Sequence, residues 1–317
     1  MQLGLFANQP SFEDEARLAA RLPRHVRLGT SSWTFPGWSG LCYPPHTSER
    51  ELKERGIELY ARFPLFGTVG IDRSHYGPLP EAELARYAAQ LPPGFTCVMK
   101  AWNAITTEID PRTGEHLATY LDPATFEHEV AGPVRRAFRD RIGAIVLEFP
   151  PRRGRAIPRP EAFAEKLDTF LAAIAGELPI AIELRNRELL AKPYLEVLAR
   201  HRVGHVLNWW EAMPPLGEQM RLPGIMPADV VVARVLLPPG TRYEAQRERM
   251  APFDRLVDES PAMRADVIEL ARVTAALGKT LFVIVNNKAE GSSPLTVRAL
   301  AERLAQAQDA GVFSPRP

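Results

Sequence analysis

Cysteine is scarce in this chain: Cys42 and Cys97 are the only two in 317 residues, far apart and outside any CxxC or Cys/His cluster. That spacing excludes a disulfide framework and argues against a structural zinc site. Histidine numbers seven, and no HxH or HExxH pair occurs, which argues mildly against a metalloenzyme. No apolar run approaches the roughly 20 residues needed to span a bilayer. Net charge is nearly absent too: 39 Lys and Arg against 38 Asp and Glu leave +1. No global field therefore marks a nucleic-acid or membrane-surface protein. The opening residues MQLGLFANQPSFEDEA lack the charged and apolar regions of a secretory leader. These absences together lead to the expectation of a cytoplasmic protein with no membrane partner.

What is present is ordinary globular material. Hydrophobic residues make up 45% and charged residues 24%, enough for a large core and too balanced for disorder. Proline is plentiful at 30 residues, collected in pairs such as Pro44-Pro45, Pro92-Pro93, Pro150-Pro151, Pro214-Pro215 and Pro238-Pro239. Because proline is excluded from the interiors of strands and helices, these pairs punctuate the elements.

Between them lie eight short apolar runs of strand character: Val26–Ser31, Thr68–Asp72, Phe95–Ala101, Ala144–Phe149, Ile180–Leu184, His205–Trp209, Val230–Leu236 and Leu281–Val285. Helical periodicity occupies Glu49–Arg62, Glu81–Gln90, Phe126–Phe138, Glu161–Ala175, Glu188–Arg200, Ala262–Leu277 and Leu295–Ala307. Strand then helix, repeated, means parallel strands with right-handed crossovers. Eight such units predict an α/β protein, a single (β/α)8 TIM-type barrel over residues 26–317. Residues 1–25 read as an extension bearing an extra helix, Phe12–Leu22, with Ser11 as N-cap. Unit six is the weakest, since Glu211–Pro227 shows little helix. A doubly wound sheet is the alternative, but Gly29-Thr30-Ser31-Ser32 is not its GxGxxG turn.

The strand ends carry a family likeness. Leu28-Gly29-Thr30-Ser31-Ser32-Trp33, with Trp38 and Tyr43-Pro44, resembles the opening of the DUF72 (YecE-like) family. Further matching pieces follow in order: Val69-Gly70-Ile71-Asp72, Ser74-His75-Tyr76, Lys100-Ala101 with Thr106, and Pro150-Pro151. Then come Glu183-Leu184-Arg185, Arg234, and Asn286-Asn287 with Gly291 and Pro294. The resemblance spans residue 26 to the end of the chain and implies a TIM-type barrel, with no reaction attached. Where the family tends to have Glu-Ile-Asn, this chain has Gly70-Ile71-Asp72. Glu148-Phe149 replaces the usual Gln before Pro-Pro, and Leu236-Leu237 replaces a His-Gly.

In a TIM-type barrel, polar residues at the C-terminal strand ends are the candidate site. Glu183 and Arg185, two apart, share a face, and the arginine would hold the carboxylate charged; a ligand clamp and a structural ion pair are both open. Lys100 is a candidate anion binder or Schiff-base former, or a lysine paired with Glu148 or Glu183. Asp72 and His75 could act as acid and base, as metal ligands, or as plain loop residues. Glu148, beside Phe149 and Pro150, has the setting of a general acid with a raised pKa. Asn286, Asn287, Ser292 and Ser293 precede a helix in which Ser293 suits the N-cap and Pro294 the first turn. That start could hold a phosphate or carboxylate. Arg234, Ser31, Trp33 and Tyr76 complete the binding candidates. The tryptophans, including Trp38, Trp102, Trp209 and Trp210, serve equally as pocket walls or as loop packing.

The expected function is an enzyme that binds a small polar, anionic substrate through Lys100, Arg185, Arg234 and the Ser292/Ser293 helix start, with Glu183 or Glu148 exchanging protons and no tightly bound metal; the sequence names no cofactor. One alternative is a divalent-metal isomerase or phosphoesterase using Asp72, His75, Glu148 and Glu183. Another is a non-catalytic binder of nucleic acid or protein, resting on the arginine runs 135–141, 152–155 and 242–249. A retaining glycosidase ranks low, because strand seven offers Arg234 and no carboxylate.

Overall fold

Gly29, near the end of the first strand, lets that strand lie close to its neighbour: a Cβ there would lie 2.0 Å from the carbonyl oxygen of Thr68. Only glycine permits that approach. The structure is a computed structural model that describes residues 12–174 and 176–313, and its eight parallel strands close in sequence order.

The chain runs through α1 (Glu13–Ala19), β1 (Val26–Thr30), α2 (Glu49–Ala61), β2 (Thr68–Ile71), α3 (Glu81–Gln90) and β3 (Cys97–Lys100). It continues through α4 (Pro123–Phe126), α5 (Gly132–Ala137), β4 (Ile142–Phe149), α6 (Pro160–Ala173), β5 (Ile180–Leu184) and α7 (Lys192–His201). The last third holds β6 (Gly204–Trp209), α8 (Leu216–Gln219), β7 (Val230–Val235), α9 (Tyr243–Met250), α10 (Pro261–Ala276), β8 (Thr280–Val285) and α11 (Ser293–Asp309). The fold is the (β/α)8 TIM-type barrel expected from the pattern.

Departures from the expected boundaries have local causes. The Phe126–Phe138 helix is split by a π-helical turn, Glu127–Ala131, just before Pro133, which has no amide to donate to the preceding turn. The helix expected from Glu188 starts at Lys192, with Pro193 in its first turn. Unit six has only the one-turn α8. Helix α9 was not expected at all. Its sequence YEAQRERM lacks an apolar stripe, and it buries only Gln246 and Met250. The lead helix is shorter than Phe12–Leu22. It is fastened to α11 by Glu15–Arg298 at 2.9 Å, while its expected Ser11 cap lies outside the described residues.

Strand alternation sorts the side chains into two cores. Leu28, Val69, Ile71, Met99, Ile145, Leu147, Ile182, Leu184, Leu207 and Val283 belong to the core shared with the helices. Val98, Ala144, Val146, Ala181, Val206, Val232, Phe282 and Ile284 form a second core inside the barrel. Two residues further along each strand, on the same inward row, the apolar series ends. Val98 gives way to Lys100, Val146 to Glu148, Ala181 to Glu183, Val206 to Asn208, Val232 to Arg234 and Ile284 to Asn286. The apolar plug thus supports a polar layer at the C-terminal mouth.

Candidate active site

Arg234, from β7, sits at the centre of that layer. Its Nη1 donates to Glu183 Oε2 at 2.5 Å and to Glu148 Oε2 at 3.0 Å, and its Nη2 reaches both oxygens of Asp72 at 3.2 and 3.0 Å. Arg185 Nη2 lies 2.9 Å from Glu148 and 2.8 Å from Glu183. Lys100 Nζ lies 2.9 Å from Glu148 and 3.6 Å from Asp72. Asn208 Nδ2 donates to Glu183 Oε1 at 3.3 Å and to the Leu184 carbonyl at 2.7 Å. Three carboxylates from β2, β4 and β5 thus meet three cations from β3, β5 and β7, and their formal charges cancel. Glu183 and Arg234 lie deepest, and Asp72 is the most open.

Asn208 is fixed from behind. Gln219 of α8 accepts from its backbone amide at 3.3 Å and donates to its carbonyl at 2.8 Å. Behind Gln219 stands His205, 3.3 Å from its Oε1 and 2.8 Å from the Tyr194 hydroxyl. Burial pushes the His205 imidazole down to about 4, so it is a neutral structural bridge at pH 7.

These contacts decide several sequence expectations. Glu183 and Arg185 share the inward face and touch, as their spacing required. Lys100 is an ion-pair partner of Glu148 and Asp72. The expectation that Glu148 is a general acid is corrected. Burial pushes its carboxyl up, but Arg185, Lys100 and Arg234 outweigh burial and hold it well below the usual carboxylate range. At neutral pH it is a fixed negative charge. His75 behaves differently: burial first, then the Lys100 charge, lowers its imidazole against the opposing pull of Glu148 and Asp72. It is therefore neutral at pH 7, and its buried Nδ1 has no hydrogen-bond partner.

The metal alternative loses support on the same geometry. The Arg234 guanidinium fills the space where the three carboxylates converge, and among the described residues no three His, Cys, Asp or Glu are grouped to hold an ion.

The helix start after β8 is built otherwise than expected. Ser292, not Ser293, is the N-cap, and α11 begins at Ser293 with Pro294 in its first turn. Asn287 Oδ1 accepts from the Ser293 amide at 2.8 Å and from its hydroxyl at 2.7 Å. Ser292 and Ser293 are fully buried, and Val257 of the β7–α10 connection binds the Glu290 carbonyl at 2.7 Å. Gly291, at φ +117°, makes room for that connection, since a Cβ there would lie 2.4 Å from the Arg255 carbonyl oxygen. The structure does not bring these two serines to the charged cluster. Asn287 holds the loop, while Asn286 continues the inward row and caps the turn by accepting from the Lys288 amide at 3.1 Å.

The other candidates line two openings. Ser31 and Trp33 border a cavity of about 260 Å³ between the ends of β1–β2 and α2–α3, with Asp72 in its wall. Trp33 packs on Gly56 and edge-on against Tyr87. Tyr76, 81% exposed, and Trp102 border a cleft of about 950 Å³ over β3 and β4. Trp38 is core, stacked on Phe35, and Trp210 covers Arg185 with its ring 4.1 Å away. Most arginines of these runs are committed to carboxylates: Arg135 to Glu127, Arg136 to Glu81, Arg139 to Glu177, Arg152 to Glu108, Arg247 to Glu244 and Arg249 to Asp258. Cys42 and Cys97 are free, buried thiols.

Sequence reasoning missed Asn208, although the inward row after Val206 would have found it. It also missed Glu290, fully buried and paired with Arg264 at 2.9 Å. No local signal marks that residue within its polar loop.

Fold and site together define a TIM-type barrel whose polar groups gather at the C-terminal mouth, where barrel enzymes carry their chemistry. The family model described as "Protein of unknown function DUF72" matches residues 27–317, and the chain belongs to that family. Among solved structures it is similar to a DUF72 family protein from Enterococcus faecalis V583, with a TM-score of 0.61 and 17% identity over 89% of this chain and 95% of that one. A DUF72 family protein from Thermotoga maritima MSB8 gives a TM-score of 0.57 and 18% identity over 89% and 99%. At these identities the likeness speaks for the fold. No curated protein matches the chain. Among the described residues no helix is long and apolar enough to cross a membrane.

A Cβ on Gly70 would lie 3.1 Å from Ser31 Cα and 3.2 Å from Ile284 Cγ2, so a side chain there would require its neighbours to shift by a few tenths of an ångström.

Proposed function

We propose that this chain is an enzyme that binds a small carboxylated or phosphorylated substrate at the barrel mouth and exchanges a proton with it through His75. The observation that carries this reading is Arg185. It is 5% exposed, its Nη2 serves Glu148 and Glu183, and its Nε and Nη1 are buried with no acceptor among the described residues. A buried donor left unpaired costs about 1–3 kcal/mol, and an oxyanion entering the mouth would remove that penalty. The fork geometry of arginine suits carboxylate and phosphate.

The roles of the other groups follow from their surroundings. Glu183 and Glu148 fix the orientation of Arg234 and Arg185, and Glu148 stays ionised behind them. Lys100, itself buried, pairs with Glu148 and Asp72 and has a donor to spare, and Asn286 adds a neutral polar contact. Because the cluster's formal charges already cancel, a substrate anion leaves a net negative charge in the mouth. That charge stabilises the protonated form of His75. Substrate binding and proton uptake are therefore linked, which places a loaded acid beside the substrate.

The test is a melting curve of chelator-treated protein with inorganic phosphate or small carboxylates, and separately with Mn²⁺, Mg²⁺ or Zn²⁺. An anion at about 100 times its Kd adds roughly 2.7 kcal/mol, or about 5 °C for a chain of this size. The rise is expected with anions, and it is expected to vanish in Arg185→Lys, which lacks the fork. No anion-dependent rise would contradict the proposal. A metal-dependent rise abolished by Glu183→Ala would replace it with the divalent-metal reading.

A further inference from the structure

Above Lys100 and Glu148 the inward rows continue into Trp102 and Pro150, and Tyr76 follows His75 directly; all three border the cleft of about 950 Å³. It is of the size that holds a small molecule, and Tyr76, Trp102 and Pro150 place its edge one or two residues beyond His75, Lys100 and Glu148 of the charged mouth. Its lining combines two chemistries. Tyr76, Trp102, Pro150 and Pro151 supply flat apolar surfaces, and Tyr76 is 81% exposed. The lining also includes a segment folded back on itself after β3, with Asp110 N bound to the Glu115 carbonyl at 2.9 Å and Leu117 N to the Glu108 carbonyl at 3.0 Å. It presents Asp110, Arg112 and His116, and Asn103 joins them from the turn after Trp102.

We infer that this cleft takes the ring of a sugar, so that the substrate is an acidic sugar derivative whose phosphate or carboxylate reaches the barrel mouth. The inference rests on the anion-binding reading above. A sugar ring turns a face of C–H groups to an aromatic ring while its hydroxyls radiate from the edge. The cleft offers those two complements: aromatic and proline faces, and polar groups drawn from separate segments of chain. A purely apolar ligand would strand Asn103, Asp110 and His116 against hydrocarbon. A nucleobase would also stack, but its polar atoms lie in one plane, whereas the polar groups here come from different parts of the cleft wall.

The experiment is calorimetric titration of the full chain with inorganic phosphate, an uncharged hexose, a hexose 6-phosphate and a nucleoside monophosphate. The hexose phosphate is expected to bind at least about tenfold tighter than phosphate, and Tyr76→Ala is expected to bind the two alike. Tyr76 is exposed, so its removal spares the fold; Trp102→Leu, which keeps apolar volume but no aromatic face, gives a second reading of the same contact. Equal affinity for phosphate and hexose phosphate would overturn the sugar inference and leave the anion reading standing. Tighter binding of the nucleoside monophosphate than of the hexose phosphate would overturn it in favour of a base. Binding of neither phosphate nor hexose phosphate would remove both, whereas binding of the uncharged hexose alone would remove the acidic group and with it the anion reading.

Discussion

Replacing Arg234 by methionine will destabilise the protein by about 3–5 kcal/mol, lowering its melting temperature by roughly 6–10 °C. The side chain is 2% exposed and bridges Asp72, Glu148 and Glu183. Without it, Glu183 keeps only Arg185 and Asn208, and Asp72 keeps only Lys100 at 3.6 Å. Burial lowers the guanidinium's pKa, but Asp72, Glu183 and Glu148 outweigh it, so Arg234 stays charged at any working pH. Arg234→Lys is expected to recover only part of the loss, because one ammonium cannot span carboxylates on three strands. Urea unfolding at pH 7 measures both. A loss below about 1 kcal/mol for Arg234→Met, the value of an exposed pair, would mean that this guanidinium does not hold the mouth together.

Glu290→Ala, outside the charged cluster, is expected to cost a comparable amount, about 3–4 kcal/mol. The carboxylate is wholly buried. Its Oε1 accepts from the Ser260 amide at 2.6 Å and its Oε2 from Arg264 at 2.9 and 3.2 Å. Its main-chain oxygen also receives Val257 and Asp258. One residue therefore ties the β8–α11 loop to the start of α10 and to the end of the β7–α10 connection. Removing it leaves the buried Arg264 with Glu259 alone and one amide at the start of α10 unsatisfied. Hydrogen exchange should quicken at Ser260 and Met263, with β1–β4 unchanged. Uniform loss of protection across the barrel, or none, would contradict this local clamp.

The sequence disclosed periodic features well. Helix α3 and strand β5 occupy the expected residues end to end, because an amphipathic stripe and a β-branched run each announce their own period. Helix α9 was hidden because it buries almost nothing. The break in the Phe126–Phe138 helix could have been read from Pro133. For the site, alternation placed Glu183 and Arg185 on one face. It could not show Arg234 of β7 spanning the mouth to Asp72 of β2, since only barrel closure brings those strands face to face. Glu148 was misjudged for the same reason. Its sequence neighbours are apolar, whereas its spatial neighbours are three cations from other strands. Glu290 carries no local signal within its polar loop, and only the long connection folded over it makes it buried.

The most direct test of a proton-exchanging histidine beside a fixed ion cluster is the imidazole titration of His75, followed by NMR and assigned with a His75→Asn variant. Its folded pKa is lowered from the ordinary 6.5 by burial and by Lys100, so its midpoint should fall below 6.5. Inorganic phosphate should raise that midpoint, because an anion in the mouth favours imidazolium. By linkage, phosphate affinity should increase as pH falls toward that raised midpoint. A midpoint at or above 6.5 that phosphate does not move would contradict the account.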